Sequence, residues 1–136
     1  MYSVKETAEI VGLTEHTIRF YTDKGLVPGV IRDKNNCRLF TEESMNWLVG
    51  IKHLKECGMT LDAIKTYIEL CLQGDSTIEA RYHIILKQKE IAKRQLEEAK
   101  QRLDYMEKKA KLYEKMMKNH IPDSTNPAKW PVKSAQ

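Results

Sequence analysis

Hydroxyl residues and glycines divide the first part of the chain into short helical segments. Ser3 and Glu6 form a capping box, and the apolar spacing after them predicts a helix that stops at Gly12. Thr14 caps a second helix, Glu15 to Lys24, which the next glycine closes. Two short helices joined by so tight a turn are typical of a helix-turn-helix.

A change of pattern after this glycine predicts a small hairpin. Turn formers from Asp33 to Asn36 lie between β-capable residues, so the segment up to Phe40 is expected to fold as a wing. Thr41 and Thr60 then cap a third and a fourth helix. The side chains expected to face the core are Trp47, Leu48, Ile51 and Leu54 in the third helix and Leu61, Ile64, Ile68 and Leu72 in the fourth.

A coiled-coil repeat follows, in a stretch that contains neither glycine nor proline. Eleven of the twelve positions that recur every 3.5 residues are apolar. A helix of forty residues is about 60 Å long and cannot bury such a stripe by itself, so a partner helix is expected. These positions, called the seam below, are Ile78, Tyr82, Ile85, Lys89, Ala92, Leu96, Ala99, Leu103, Met106, Ala110, Tyr113 and Met117.

The predicted fold is therefore mainly α. Residues 1–75 form a winged helix-turn-helix domain with a small β-hairpin wing, and residues 76–118 form a long coiled-coil helix that dimerises. Residues 119–136, with three prolines, form an irregular tail.

The net charge of +4 does not by itself indicate nucleic-acid binding. Residues 1–77 carry 9 Lys and Arg against 11 Asp and Glu, whereas residues 78–136 carry 14 against 8. The positive excess thus lies outside the predicted DNA-binding domain. DNA binding is therefore inferred from the local pattern of residues and not from the net charge.

Several other classes of protein are not expected. No apolar run has the length of a membrane span and no secretory signal is present, which predicts a cytoplasmic protein. The sequence has no nucleophile–base pair, glycine-rich phosphate loop or paired catalytic carboxylates, so we do not expect an enzyme. Three cysteines without a CxxC pair predict free thiols, with no metal site and no cofactor.

Three segments resemble the MerR family of transcription regulators. The run Thr17–Tyr21 followed by Gly25–Pro28 resembles the recognition helix of the family and the turn after it. Asn36–Glu43 resembles the wing and the start of the third helix, and Leu54–Lys65 resembles the next helix pair. The similarity covers about residues 1–70 in order and spacing, and the placement of the long helix extends it to about residue 117.

The resemblance implies a homodimer, joined by an antiparallel coiled coil, on a palindromic promoter site. Members of the family commonly bend and untwist a promoter with an overlong spacer so that RNA polymerase can engage, which makes the polymerase an indirect partner. Cys37, Phe20 and Phe40 stand where tyrosines are common in the family. The tyrosine contacts of the family therefore cannot be transferred to these positions.

The recognition helix and the wing supply the candidate DNA contacts. Arg19 can reach a phosphate or a guanine edge, and His16 lies at the end of the helix nearest the bases, although either residue could simply be solvated. Tyr21 could donate to a phosphate or pack under the wing. The full set is Thr14, His16, Thr17, Arg19 and Tyr21 in the recognition helix, Arg32, Lys34 and Arg38 around the wing, and Lys65 in the fourth helix.

The expected signal is thiol chemistry or a small molecule. The resemblance excludes two other sensors, because the chain lacks the cysteines of metal-sensing members and the large ligand domain of multidrug-sensing ones. Some short members sense electrophiles through a third-helix cysteine, and His53 stands at that position here. Cys57 lies one turn later and Cys71 lies near the end of the fourth helix, so both are candidate thiol sensors, against the alternative of inert, packed cysteines.

Two functions follow from the sequence. The first is a sequence-specific, dimeric regulator of transcription that distorts promoter DNA. The alternative is a non-regulatory winged-helix protein that binds DNA structurally, as in a phage or a nucleoid.

Overall fold

The computed structural model describes residues 1–132 and is mostly helical, which confirms the predicted fold class. Its contacts form two compact units, Met1–Ile91 and Ala92–Gln136. The helices are α1 (Val4–Val11), α2 (Glu15–Asp23), α3 (Glu42–Glu56), α4 (Leu61–Gln73) and α5 (Ile78–Asn119), and the strands are β1 (Ile31–Arg32) and β2 (Arg38–Leu39). Two 3₁₀ turns cover Asp75–Thr77 and Pro127–Lys129.

The helix starts are where the capping residues predicted them. The Ser3 hydroxyl accepts a hydrogen bond from the Glu6 amide at 3.1 Å, and the Glu6 carboxylate accepts one from the Ser3 amide at 3.0 Å. The hydroxyls of Thr14, Thr41 and Thr60 likewise accept amide hydrogen bonds at the starts of α2, α3 and α4, and at Thr41 the Ser44 hydroxyl returns the bond. These local bonds satisfy amides that the first turn of a helix leaves unpaired, which explains why sequence alone finds them.

The turn between α1 and α2 requires its glycine for two reasons. Gly12 adopts a left-handed conformation, with φ at 72°, and a Cβ there would lie 3.1 Å from the Lys52 ammonium. That ammonium donates to the Val11 carbonyl at 3.2 Å and so balances the negative end of α1. The glycine therefore sets the helix-turn-helix geometry and leaves room for a cation from α3.

The predicted wing is a two-stranded antiparallel hairpin. Ile31 pairs with Leu39 and Arg32 with Arg38. The Asp33 carboxylate accepts amide hydrogen bonds from Asn35 and Cys37 at 2.8 and 2.9 Å, which closes the turn.

The wing is also tied to the start of the chain. Tyr2 and Phe40 exchange backbone hydrogen bonds of 2.9 and 2.8 Å, forming an isolated antiparallel bridge. This bridge places the first turn of α1 beside the wing.

The core of the first unit confirms most of the predicted inward positions and corrects one. Leu48, Ile51, Ile64 and Ile68 are buried, and Trp47, Leu54 and Leu61 pack partly buried against them. Leu72 was expected to face inward but is 58% exposed. Leu72 is the penultimate residue of α4, one turn beyond Ile68, the last buried side chain of that helix.

The first turns of α5 are fastened to the rest of the first unit. Ile84 packs against the core, and the Gln88 side-chain amide donates to the Cys57 carbonyl at 3.1 Å. The Arg81 guanidinium donates to the buried Thr77 hydroxyl at 3.0 Å. The start of the long helix is thereby fixed to the ends of α3 and α4.

In the second unit most large apolar side chains remain exposed. Leu96, Leu103 and Met106 are 58, 59 and 60% exposed. Met116 of α5 and Thr125 of the tail are buried within this unit, and the described part of the tail is irregular apart from the 3₁₀ turn Pro127–Lys129. Among the described residues no helix has both the length and the apolar character needed to cross a membrane.

Candidate nucleic-acid interface

The exposed N-terminal turn of α2 carries three of the predicted contact residues. The Thr14 hydroxyl accepts from the Thr17 amide at 3.1 Å and donates to the Thr17 hydroxyl at 2.8 Å, so both threonines serve the cap. His16 is exposed beside them and makes no hydrogen bond within residues 1–132. Of the three, His16 has the side chain most available to an incoming partner.

Arg19 follows one turn further along α2. One of its terminal nitrogens lies 3.2 Å from a carboxylate oxygen of Glu15, and both side chains are largely exposed. An exposed pair of this kind contributes at most about 1 kcal/mol. A phosphate can therefore displace Glu15 as the partner of this guanidinium at little cost.

A surface depression of about 410 Å³ joins α2, the wing and the start of α1. Four cationic side chains and a single carboxylate, that of Glu15, line it. The lining residues are Ser3, Val4, Lys5, Glu15, Arg19, Arg32, Asn36, Cys37 and Arg38. A concave surface with three excess positive charges attracts a polyanion, although the unit as a whole is not basic.

Lys5 is the lining cation that sequence reasoning missed. It reaches the depression because the Tyr2–Phe40 bridge brings the start of α1 to the wing. The only signal in the sequence was that both bridge residues are β-prone and directly precede helix caps.

The Arg38 side chain is held in place by contacts within the protein, unlike a side chain that is free to bind a phosphate. Its guanidinium makes an ion pair with Asp23 at the end of α2, and its side chain is only 16% exposed against 62% for Asp23. Its Nε is buried and has no hydrogen-bond partner in the part of the chain that the structure describes. This contact links the wing to the recognition helix across 15 positions of sequence.

The other predicted contacts differ in their availability. The Arg32 guanidinium donates to the Asn36 carbonyl at 2.9 Å within the wing, and Lys34 is exposed at its tip. Lys65 is exposed on α4 but does not line the depression. Tyr21 is buried in the core, and this burial raises the pKa of its phenol, which favours packing over a role at the surface.

The two candidate thiols lie in different surroundings. Cys57 is exposed at the end of α3, and the His53 imidazole lies 3.9 Å from the Glu56 carboxylate and makes no hydrogen bond to the thiol within the described residues. Cys71 is partly buried, and its Sγ accepts a hydrogen bond from the Arg81 guanidinium, with 3.8 Å between sulfur and nitrogen. No group of His, Cys, Asp and Glu residues suited to a metal ion occurs in residues 1–132.

Comparison with known proteins gives consistent matches. The MerR helix-turn-helix regulatory protein family matches residues 2–71. An uncharacterized HTH-type transcriptional regulator of Haemophilus influenzae is 39% identical over 114 residues, 84% of each chain.

Solved structures agree with these matches. The crystal structure of HiNmlR, a MerR family regulator lacking the sensor domain, bound to promoter DNA, is similar with a TM-score of 0.74 at 37% identity. The similarity covers 88% of this chain and 90% of that one. A putative MerR family regulator from Listeria monocytogenes gives a TM-score of 0.76 at 27% identity, covering 88 and 91%.

Proposed function

The chain belongs to the MerR family of helix-turn-helix regulatory proteins, and we propose that it regulates transcription by binding promoter DNA as a homodimer in the bacterial cytoplasm. The single observation that carries the DNA contact is the cationic depression between the exposed start of α2 and the wing. A recognition helix reads base edges from its N-terminal residues while a neighbouring surface holds the phosphates. His16 and Arg19 fit the first task, and Lys5 and Arg32 fit the second.

The proposed dimer is supported by the exposed seam of α5. Apolar side chains such as Leu96, Leu103 and Met106 lie along one stripe of a single helix, where water contact costs about 25 cal/mol per Å² of apolar area. A second copy of the same helix would bury that stripe along its whole length.

The order of large and small residues in the seam favours one antiparallel register. If residue numbers in facing layers sum to 195, Leu96 of one copy faces Ala99 of the other, and Leu103 faces Ala92. Ile85 faces Ala110 in the same register. Each alanine then meets a large side chain, whereas a shift by one heptad sets two alanines together or brings Lys89 against Ala99. We infer that the two copies pair in this register.

The mode of action we propose is distortion of the promoter rather than a blockade of it. The HiNmlR structure bound to promoter DNA supports a short chain of this type acting without a sensor domain. A dimer that presents two wings to the same DNA can impose a bend on it, which improves the alignment of the promoter elements for RNA polymerase. The relatives are regulators of transcription, which supports this mode of action.

The signal we propose is a change at a thiol or a bound small molecule. Cys71 is the stronger of the two thiol candidates, because the Arg81 guanidinium contacts its sulfur, which favours reaction with electrophiles. Cys57 remains the second candidate. If neither Cys71→Ser nor Cys57→Ser alters the response of DNA binding to an electrophile such as methylglyoxal, the thiol proposal fails.

A gel-shift titration tests DNA binding. It uses the DNA upstream of the gene that encodes this protein and is repeated over a range of salt concentrations. Arg19→Ala should weaken binding and reduce the salt slope by about one, whereas Arg102→Ala, on the exposed part of α5, should not. Equal affinity for unrelated DNA would favour the structural alternative instead. In vitro transcription from promoters with normal and lengthened spacers then tests distortion, since activation should require the lengthened spacer.

A further inference from the structure

The tail of the second unit lines a groove together with α5, and its own side chains hydrogen-bond within the tail. His120 adopts a left-handed conformation, with φ at 53°, where the chain reverses. The Asp123 carboxylate accepts from both the amide and the hydroxyl of Thr125 at 2.8 and 2.7 Å. The Trp130 indole donates to the Ser124 carbonyl at 3.0 Å. The indole bond orients the Trp130 ring, which remains 44% exposed.

The fixed tail closes one side of a pocket of about 300 Å³. Trp130 and Tyr105 supply aromatic walls and Leu112 an aliphatic one. The remaining lining residues are Lys108, Lys109, Ser124 and Thr125. This volume lies at the lower end of the range for small-molecule sites, which are mostly apolar with a few polar groups that orient the ligand.

The two lysines at the pocket differ in their partners. The Lys108 ammonium lies 2.8 Å from the Asp104 carboxylate, and this pairing raises the pKa of the lysine. The Lys109 ammonium lies over the Tyr105 ring, 5.5 Å from its centre, and has no carboxylate partner in residues 1–132. One uncompensated positive charge therefore remains beside the aromatic walls.

We propose that this pocket binds a small planar aromatic carboxylate. The ring would stack against Trp130 and cover Leu112, and the carboxylate would pair with Lys109 through a charge-assisted hydrogen bond. Binding itself is independent of the proposed function. Only its consequence, a change in promoter binding, rests on that function.

Fluorescence of Trp130 reports directly on occupancy. In a Trp47→Phe background Trp130 is the only tryptophan, and 4-nitrobenzoate serves as a quenching probe of the proposed chemistry. We expect saturable quenching with half-saturation at or below about a millimolar, the level that ligand efficiency allows for so small a molecule. The Trp130→Phe variant, which retains Trp47, should show only unsaturable collisional quenching.

Charge selectivity separates this site from a general apolar patch. The neutral 4-nitrobenzyl alcohol should bind about tenfold more weakly than 4-nitrobenzoate, and Lys109→Met should remove that difference. Lys111→Met, on the same helix but outside the pocket, is the matched control and should keep it.

Three results would overturn the proposal. The first is quenching that never saturates, and the second is equal binding of the acid and the alcohol. The third is a Trp130 that acrylamide cannot reach in the dimer, because a second copy would then occupy the pocket. Loss of promoter binding would not count against the site, since the fluorescence titration requires no DNA.

Discussion

The two units of the molecule differ in how far their apolar side chains are buried. In the first unit Phe40, Leu48 and Ile64 have no exposed surface, because the four helices α1 to α4 contribute side chains to the same core. In the second unit, Leu96 and Leu103 are more than half exposed on one helix. The first unit thus has a core of its own, whereas the second needs another chain. The core around Leu48 should therefore not depend on protein concentration, whereas the exposed seam, which begins at Ile78 within the first unit, should.

The largest expected effect is the loss of dimer affinity when a large side chain of the seam is truncated. Leu96→Ala removes a large side chain from two layers of the proposed dimer, at about 2 kcal/mol each, so the dimer dissociation constant should rise about a thousandfold. Sedimentation equilibrium measures it. Gln101→Glu, an exposed change off the seam, is the control and should leave association unchanged.

A size swap sharpens the same prediction to a single register. Ala99→Leu alone should also weaken the dimer, by about 1–3 kcal/mol of overpacking. In the proposed register the double variant Leu96→Ala with Ala99→Leu restores one large and one small residue in each layer, so most of the affinity should return. If the double variant is weaker than either single one, the register is wrong.

The matching change in the first unit should behave differently. Leu48→Ala leaves a cavity among fully buried neighbours and should cost about 3 kcal/mol of unfolding free energy, with a lower melting temperature at every protein concentration. Thermal denaturation followed by circular dichroism at two concentrations checks this. A melting temperature of this variant that rose with concentration more than that of the parent would contradict the independence of the core.

The ion pair between the wing and α2 should have a smaller effect. Asp23 is 62% exposed, so Asp23→Asn should cost at most about 1 kcal/mol of stability. The same change frees Arg38 and loosens the wing, and we expect DNA affinity to fall a few-fold while the salt slope is retained. Asp33→Asn, which perturbs only the turn of the wing, provides the comparison. A gain in affinity would show instead that Arg38 contacts phosphate and that Asp23 competes for it.

Sequence found the features that depend on neighbours along the chain. The caps at Ser3 and Thr14 and the seam are set within a few residues, so spacing alone predicted them. The Tyr2–Phe40 bridge that brings Lys5 to the wing and the Arg38–Asp23 pair join distant segments, and no local pattern encodes them. The packing site of Trp130 could not be predicted from the sequence either, because it forms only where the folded tail meets α5.

The smallest expected effect is the loss of tail packing at low pH. Hydrogen bonds from the Thr125 hydroxyl and amide hold the pKa of Asp123 below its usual value of 3.8. A lowered folded-state pKa means that the carboxylate stabilises the tail fully above 3.8 and loses that effect as the pH falls through the folded value. Trp130 fluorescence in the Trp47→Phe background should therefore change only below about pH 3.8, as the indole leaves the pocket. Asp123→Asn cannot ionise, so its fluorescence should lack this step. An identical acid transition in both proteins would assign it to another carboxylate, such as Asp104 beside Lys108.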